Sequence, residues 1–174
     1  MKIFWVLFLW FLISASLQAE TRLAILDFEL RDLTLAPGIP AELQRTAGLK
    51  AMLESELQGA GYKIVAVDSA SQRQADGGVG YLFEHHDSAA ELAKQVGADY
   101  IVVGRLHKPS FLFAYIMGHL VRASDGELIG NYISETKGGD KKLTLKGVES
   151  LAVKIDNDLD KIYTPPPPKA IPKQ

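Results

Sequence analysis

Ala98-Asp99-Tyr100-Ile101-Val102-Val103-Gly104-Arg105-Leu106 is the stretch on which the fold turns. Tyr100 to Val103 is an unbroken aromatic and β-branched run, preceded by Gly97. A short apolar run bounded in this way reads as a strand covered on both faces, and its interior as core. The remainder of the chain supplies strands to pair with it and helices to cover it.

Upstream the pattern alternates. Arg22 to Phe28 reads as a first buried strand, ending in Asp27, and Arg31 to Pro40 as a loop marked by Pro37-Gly38 and Pro40. Ala41 to Ala60 has helical periodicity, with Leu43, Leu49, Leu53, Leu57 and Ala60 on one side and Glu42, Arg45, Glu54 and Ser55 off it. Tyr62 to Val67 is a second strand. Ser69 to Phe83 carries no period and reads as a mobile surface loop; its Gly77-Gly78-Val79-Gly80 lacks the spacing and context of a phosphate loop. Ser88-Ala89-Ala90-Glu91 has the form of a capping box opening a short helix that Gly97 closes.

Downstream the architecture changes. Pro109 makes His107-Lys108-Pro109-Ser110 a corner. Phe111–Arg122 and Leu128–Thr136 flank Ser124-Asp125-Gly126-Glu127, a strong hairpin signal. Phe111, Phe113, Tyr115, Met117 and Val121 share one face; Leu112, Ala114, Ile116 and Leu120 share the other. An apolar character on both faces at the start of the hairpin means double coverage or a partner there. A last helix is carried by Val148, Leu151, Ala152, Ile155, Leu159 and Ile162. The expected fold is α/β (α+β), a mixed sheet of about five strands in the order β-α-β-α-β-β-β-α.

The chain has 174 residues, a formal net charge of −2 and no cysteine. This excludes disulfides, thiolate metal sites, thiol nucleophiles and an N-terminal lipidated cysteine, and it leaves no electrostatic footprint for nucleic acid. Lys2 followed by apolar residues 3–13 and small residues to Ala19 reads as a secretory signal peptide, cleaved after Ala19 or Ser16. Retention as a membrane anchor is the alternative, but the run is shorter than the roughly 20 residues a spanning helix needs. The expected organisation is a signal peptide over 1–19, one α/β domain over 20–163 and a proline-rich disordered tail over 164–174, with the mature protein in the periplasm.

Chemistry-bearing residues are few. Glu84-His85-His86-Asp87 is the densest group of potential ligands, but adjacent histidines point apart. His85 and His86 are weak metal candidates that need His107 or His119 to reach them from the hairpin. Arg105, His107 and Lys108 leave the central strand where open α/β sheets place ligands; ion pairing with Asp27 or Glu29 explains the same charges without a ligand. Asp27 itself reads as a turn cap more readily than as a catalytic acid. No hydrolase elbow and no Walker lysine motif is present, so no reaction and no cofactor is indicated.

Leu23-Ala24-Ile25-Leu26-Asp27-Phe28, Gly97 to Gly104, and Arg122 to Ile129 together resemble the envelope domains related to the curli-secretion protein CsgG, the N-terminal domain of TolB and the outer-membrane activators of penicillin-binding proteins. Within that group the chain looks most similar to small exported proteins of unknown function that accompany quinoprotein (PQQ-dependent) methanol dehydrogenase systems. The resemblance spans residues 22–163 and implies an α/β domain that binds other envelope components without turning over a substrate. The expected partner is an envelope protein, in particular a quinoprotein dehydrogenase or its assembly factors, with contact to a membrane only if the signal is retained. The expected binding surface is Phe111, Phe113 and Tyr115 with the basic corner Arg105, His107 and Lys108. The alternative is a periplasmic protein binding a small ligand or metal near His85 and His86.

Overall fold

The computed structural model describes residues 20–137 and 139–162. The expected signal peptide and the tail lie outside the described residues. The elements are β1 (Arg22–Ile25), β2 (Glu29–Asp32), α1 (Pro40–Gly59), β3 (Lys63–Val65), α2 (Ser69–Ala75), α3 (Tyr81–Glu84), α4 (His86–Val96), β4 (Tyr100–Lys108), β5 (Phe113–Arg122), β6 (Leu128–Lys137) and α5 (Lys141–Ile162). They build a mixed α/β fold around one sheet in the order β3-β1-β4-β5-β6, with β2 also on β4. β3, β1 and β4 run parallel, whereas β4, β5 and β6 form an antiparallel meander.

Tyr100 to Leu106 is the spine. Val102 and Leu106 are fully buried beneath α1 and α5, in a cluster with Leu23, Ile25, Leu49, Leu53, Ile116, Leu151 and Ile155. Ile101 and Val103 are buried on the other face, with Leu26, Leu82, Phe83, Leu92 and Val121 beneath α2 to α4. Alternate side chains of one strand therefore enter two cores, the arrangement a continuous apolar run calls for.

The segment expected as one strand is two. Leu23 pairs with Tyr100 and Glu29 with Arg105, so six steps along β1 and β2 oppose five along β4. One extra residue is accommodated between them, as in a bulge. Phe28 falls in this interval, and its ring lies so close over Gly104 that a Cβ added there would collide with it. Glycine at 104 is thus required by a close approach. β2 then extends into the stretch expected to be loop, and Asp32 closes what remains by accepting from the amides of Thr34 (3.0 Å) and Gly38 (3.1 Å).

Three further expectations are corrected. Ser69 to Phe83 is mostly helical: Asp68 caps α2 by accepting from the amides of Ala70 and Ser71, and Leu82 and Phe83 of α3 are core. Ser88 does not cap α4, which begins three residues earlier than a cap at Ser88 requires, with His85 at the N-cap position and no side-chain cap. In the first turn of α1 it is Glu42 that is buried and Leu43 that is 53% exposed. The helix enters over the polar end of the sheet, where Glu42 meets charged partners.

Candidate partner-binding surface

α3 and α4 cover only part of the sheet face they pack on. The cross-strand register lays out what continues beyond them. Arg31, His107, Tyr115 and Glu135 form one row, and Glu29, Arg105, Met117 and Ile133 the next; Phe113 and Lys137 lie beyond. Because side chains alternate along strands, all of these stand on the face opposite α1 and α5. Phe113 is 39% exposed and Ile133 49% exposed, and Phe111 and Leu112 at the β4–β5 corner are 58% and 71% exposed. His107 and Tyr115 are half-buried, their rings parallel within 23° at a centroid separation of 6.4 Å. The open face is thus aromatic and aliphatic, flanked by Arg31 and Lys137.

The three basic residues of the expected corner do not form one patch. Arg105 and His107 lie on the open face, but Lys108, by alternation, lies under α1. Arg105 is buried at the boundary with α3: its Nε donates to Glu29 Oε1, its Nη1 lies 3.5 Å from Glu84, and its guanidinium sits 4.0 Å from the centre of the Phe83 ring. Burial, with Arg31 and Arg105 nearby, holds the His107 pKa below its ordinary value, so this imidazole is neutral at pH 7.

Lys108 is also buried, and its Nζ donates to Glu42 Oε1 at 2.7 Å. Arg45 shares the same carboxylate through Oε2 at 3.3 Å and donates onward to Thr144 Oγ1 and Thr136 Oγ1. This network locks the starts of α1 and α5 to the ends of β4 and β6. Sequence reasoning missed it, since Glu42 and Arg45 are off the leucine stripe and no spacing marks them as buried.

Asp27 is not part of either arrangement. It accepts from Ser69 Oγ at 2.8 Å and pairs with Lys50 at 3.2 Å, while Gln72 bonds its backbone N–H and C=O. The carboxylate therefore fastens α2 to the end of β1.

Of the weak metal candidates, His85 is exposed and stacks on Tyr81 at 4.0 Å. His119 does reach His86 from the hairpin: His86 Nε2 and His119 Nδ1 are 3.0 Å apart, and His119 Nδ1 is 3.1 Å from the Phe83 carbonyl. Burial, then the neighbouring His86, depresses the His119 pKa, so the His119 ring is neutral at pH 7. Among the described residues no three histidine or carboxylate side chains stand together as a metal-holding group. No helix among the described residues is long and apolar enough to cross a membrane.

Solved structures share this architecture. PelC from Paraburkholderia phytofirmans, described as a dodecamer, superposes with a TM-score of 0.52 at 11% identity, over 80% of this chain and 87% of that one. Lipoprotein GNA1162 from Neisseria meningitidis gives 0.50 at 15% identity, over 80% and 99%. LpoB from E. coli gives 0.50 at 14% identity, over 68% of this chain and 57% of its own. At these identities the likeness is one of fold. No curated protein matches the chain. The family described as "protein of unknown function (DUF2380)" is matched over residues 21–155, and the chain belongs to that family.

Proposed function

We propose that the protein is a non-enzymatic accessory or assembly protein of the periplasm that binds another envelope protein through the open face of its sheet. The observation that carries this reading is the stretch of sheet bearing Phe113, Tyr115, Met117 and Ile133, bordered by Phe111 and Leu112, which no element among the described residues covers. A sheet face with exposed aromatics at this density is covered by something in the working assembly. His107 and Arg31 supply polar contacts at its margin, while Arg105 and Lys108 hold the surface from behind through their ion pairs. A quinoprotein dehydrogenase or one of its assembly factors is the partner proposed from the family resemblance. The fold shared with LpoB and GNA1162 supports an envelope setting.

The test is crosslinking in the native host followed by identification of what copurifies with the tagged protein. Phe111→Ser/Phe113→Ser is expected to abolish recovery of the partner while leaving the amount of exported protein similar, because both side chains are already exposed. Undiminished recovery would show that the partner docks elsewhere. A second reading, metal binding, is favoured by one contact, that of His86 with His119. Stoichiometric zinc or copper in the protein purified from the periplasm, lost in His119→Gln, would support it in place of the first.

A further inference from the structure

The two edges of the sheet are treated differently. Opposite β6 the edge is formed by β3 and β2, strands of three and four residues, short enough to offer little to another chain. β6 is an edge of ten, without proline, and among the described residues nothing pairs with its outer side. Lys154 Nζ donates to the Ile133 carbonyl at 2.6 Å, which places the main-chain groups of Ile133 on the outer side. By the two-residue period of a strand, those of Asn131, Glu135 and Lys137 face outward with it.

Beside this edge runs a groove of about 400 Å³ between β6 and α5, lined by Leu143, Lys146, Ser150 and Lys154 among others. Its charged lining is mostly basic, Lys137, Lys146 and Lys154 against Glu135, in a chain whose net charge is −2. None of these three lysines is ion-paired among the described residues.

We propose that the β6 edge binds an extended acidic segment of a partner protein by strand addition. Such a segment would bond the outward main-chain groups of residues 131–137, with the Lys154 ammonium giving up the Ile133 carbonyl to it. Its side chains would alternate, carboxylates over the lysines on the α5 side and apolar residues beside Ile133 on the open face. The edge shares Ile133 with the open face, but its outward main-chain groups and Lys146 do not belong to that face, so variants at Glu135 and Lys146 test the proposal apart from the docking role of Phe111 and Phe113.

The experiment is site-resolved amide hydrogen exchange on the purified protein with a capped decapeptide alternating aspartate and valine, against one alternating lysine and valine. With the acidic peptide, exchange at Asn131, Ile133 and Glu135 is expected to slow by about tenfold or more, and high salt should remove the effect. Glu135→Pro deletes an outward N–H and leaves the ladder to β5 intact, so it should abolish the protection while Tyr132 and Ser134 remain slow. Lys146→Glu should weaken it without touching the strand, and Phe113→Ser should not change it. Equal protection by the basic peptide, protection confined to the aromatic corner, or none at millimolar peptide would overturn the proposal. So would protection that rises with protein concentration alone, which would assign the edge to a second copy of the chain.

Discussion

Replacing Lys108 by methionine decides whether this residue serves the fold or a partner. Its ammonium is 2.7 Å from Glu42, and both side chains are less than a tenth exposed. Methionine keeps most of the stem's volume and removes the charge, leaving the Glu42 carboxylate buried with only Arg45 at 3.3 Å to compensate. Removing one partner of a buried pair costs about 3–5 kcal/mol, and the retained Arg45 contact points to the lower end, about 3 kcal/mol. With a urea dependence of about 2 kcal/mol/M for a domain of this size, the midpoint should fall by about 1.5 M. Far-UV circular dichroism is the suitable probe, because both tryptophans, Trp5 and Trp10, precede the described domain. Adding Glu42→Gln removes the stranded charge and should recover more than half of the loss, since a neutral amide still accepts from Arg45. A midpoint shift below about 0.5 M for Lys108→Met would refute the structural role, because about 1 kcal/mol is what a solvent-screened pair contributes.

Gly104→Ala should cost about 1–3 kcal/mol by forcing the Phe28 ring aside, and its cost should shrink in a Phe28→Leu background, giving a coupling that urea melts of the four variants would measure. Acidification should destabilise the protein in a defined window. His119 and His107 both have folded pKa values below the unfolded value of about 6.5, so the unfolded chain binds more protons and stability falls as pH drops through about 6.5 toward the folded values. Thermal melts between neutral pH and pH ~5 should show this decline, and a flat profile would contradict the burial of His119.

The central strand, the hairpin and the last helix are legible in the sequence because each repeats one period over many residues. The buried face of α5, with Val148, Leu151, Ile155 and Leu159, is as its spacing requires. β2 is not legible: Glu29-Leu30-Arg31-Asp32 has one apolar residue, and the extra residue before it shifts the alternation out of phase with β1. α2 is equally silent, since it buries nothing fully and is held by its Asp68 cap and by Gln72 bonded to the backbone of Asp27. The candidate surface is half legible. Strand parity places Phe113 with Tyr115 and His107 with Arg105, and the same parity removes Lys108 from their company. The partners of the charges are hidden, because Glu42 lies 66 residues from Lys108 and Glu29 lies 76 from Arg105.

The extra residue between β1 and β2 also bears on the order in which the chain assembles. Both short strands need β4, which lies 77 and 76 residues further along for their paired positions. The stretch from Tyr100 onward, by contrast, closes through adjacent hairpins and a helix laid on them, contacts whose loop-closure cost is small. As the chain lengthens, the parallel half of the sheet has no spine until Lys108 has been made, whereas the antiparallel half needs only its own neighbours. The C-terminal meander is therefore the natural seed, and the first strand to be synthesised is among the last to be paired.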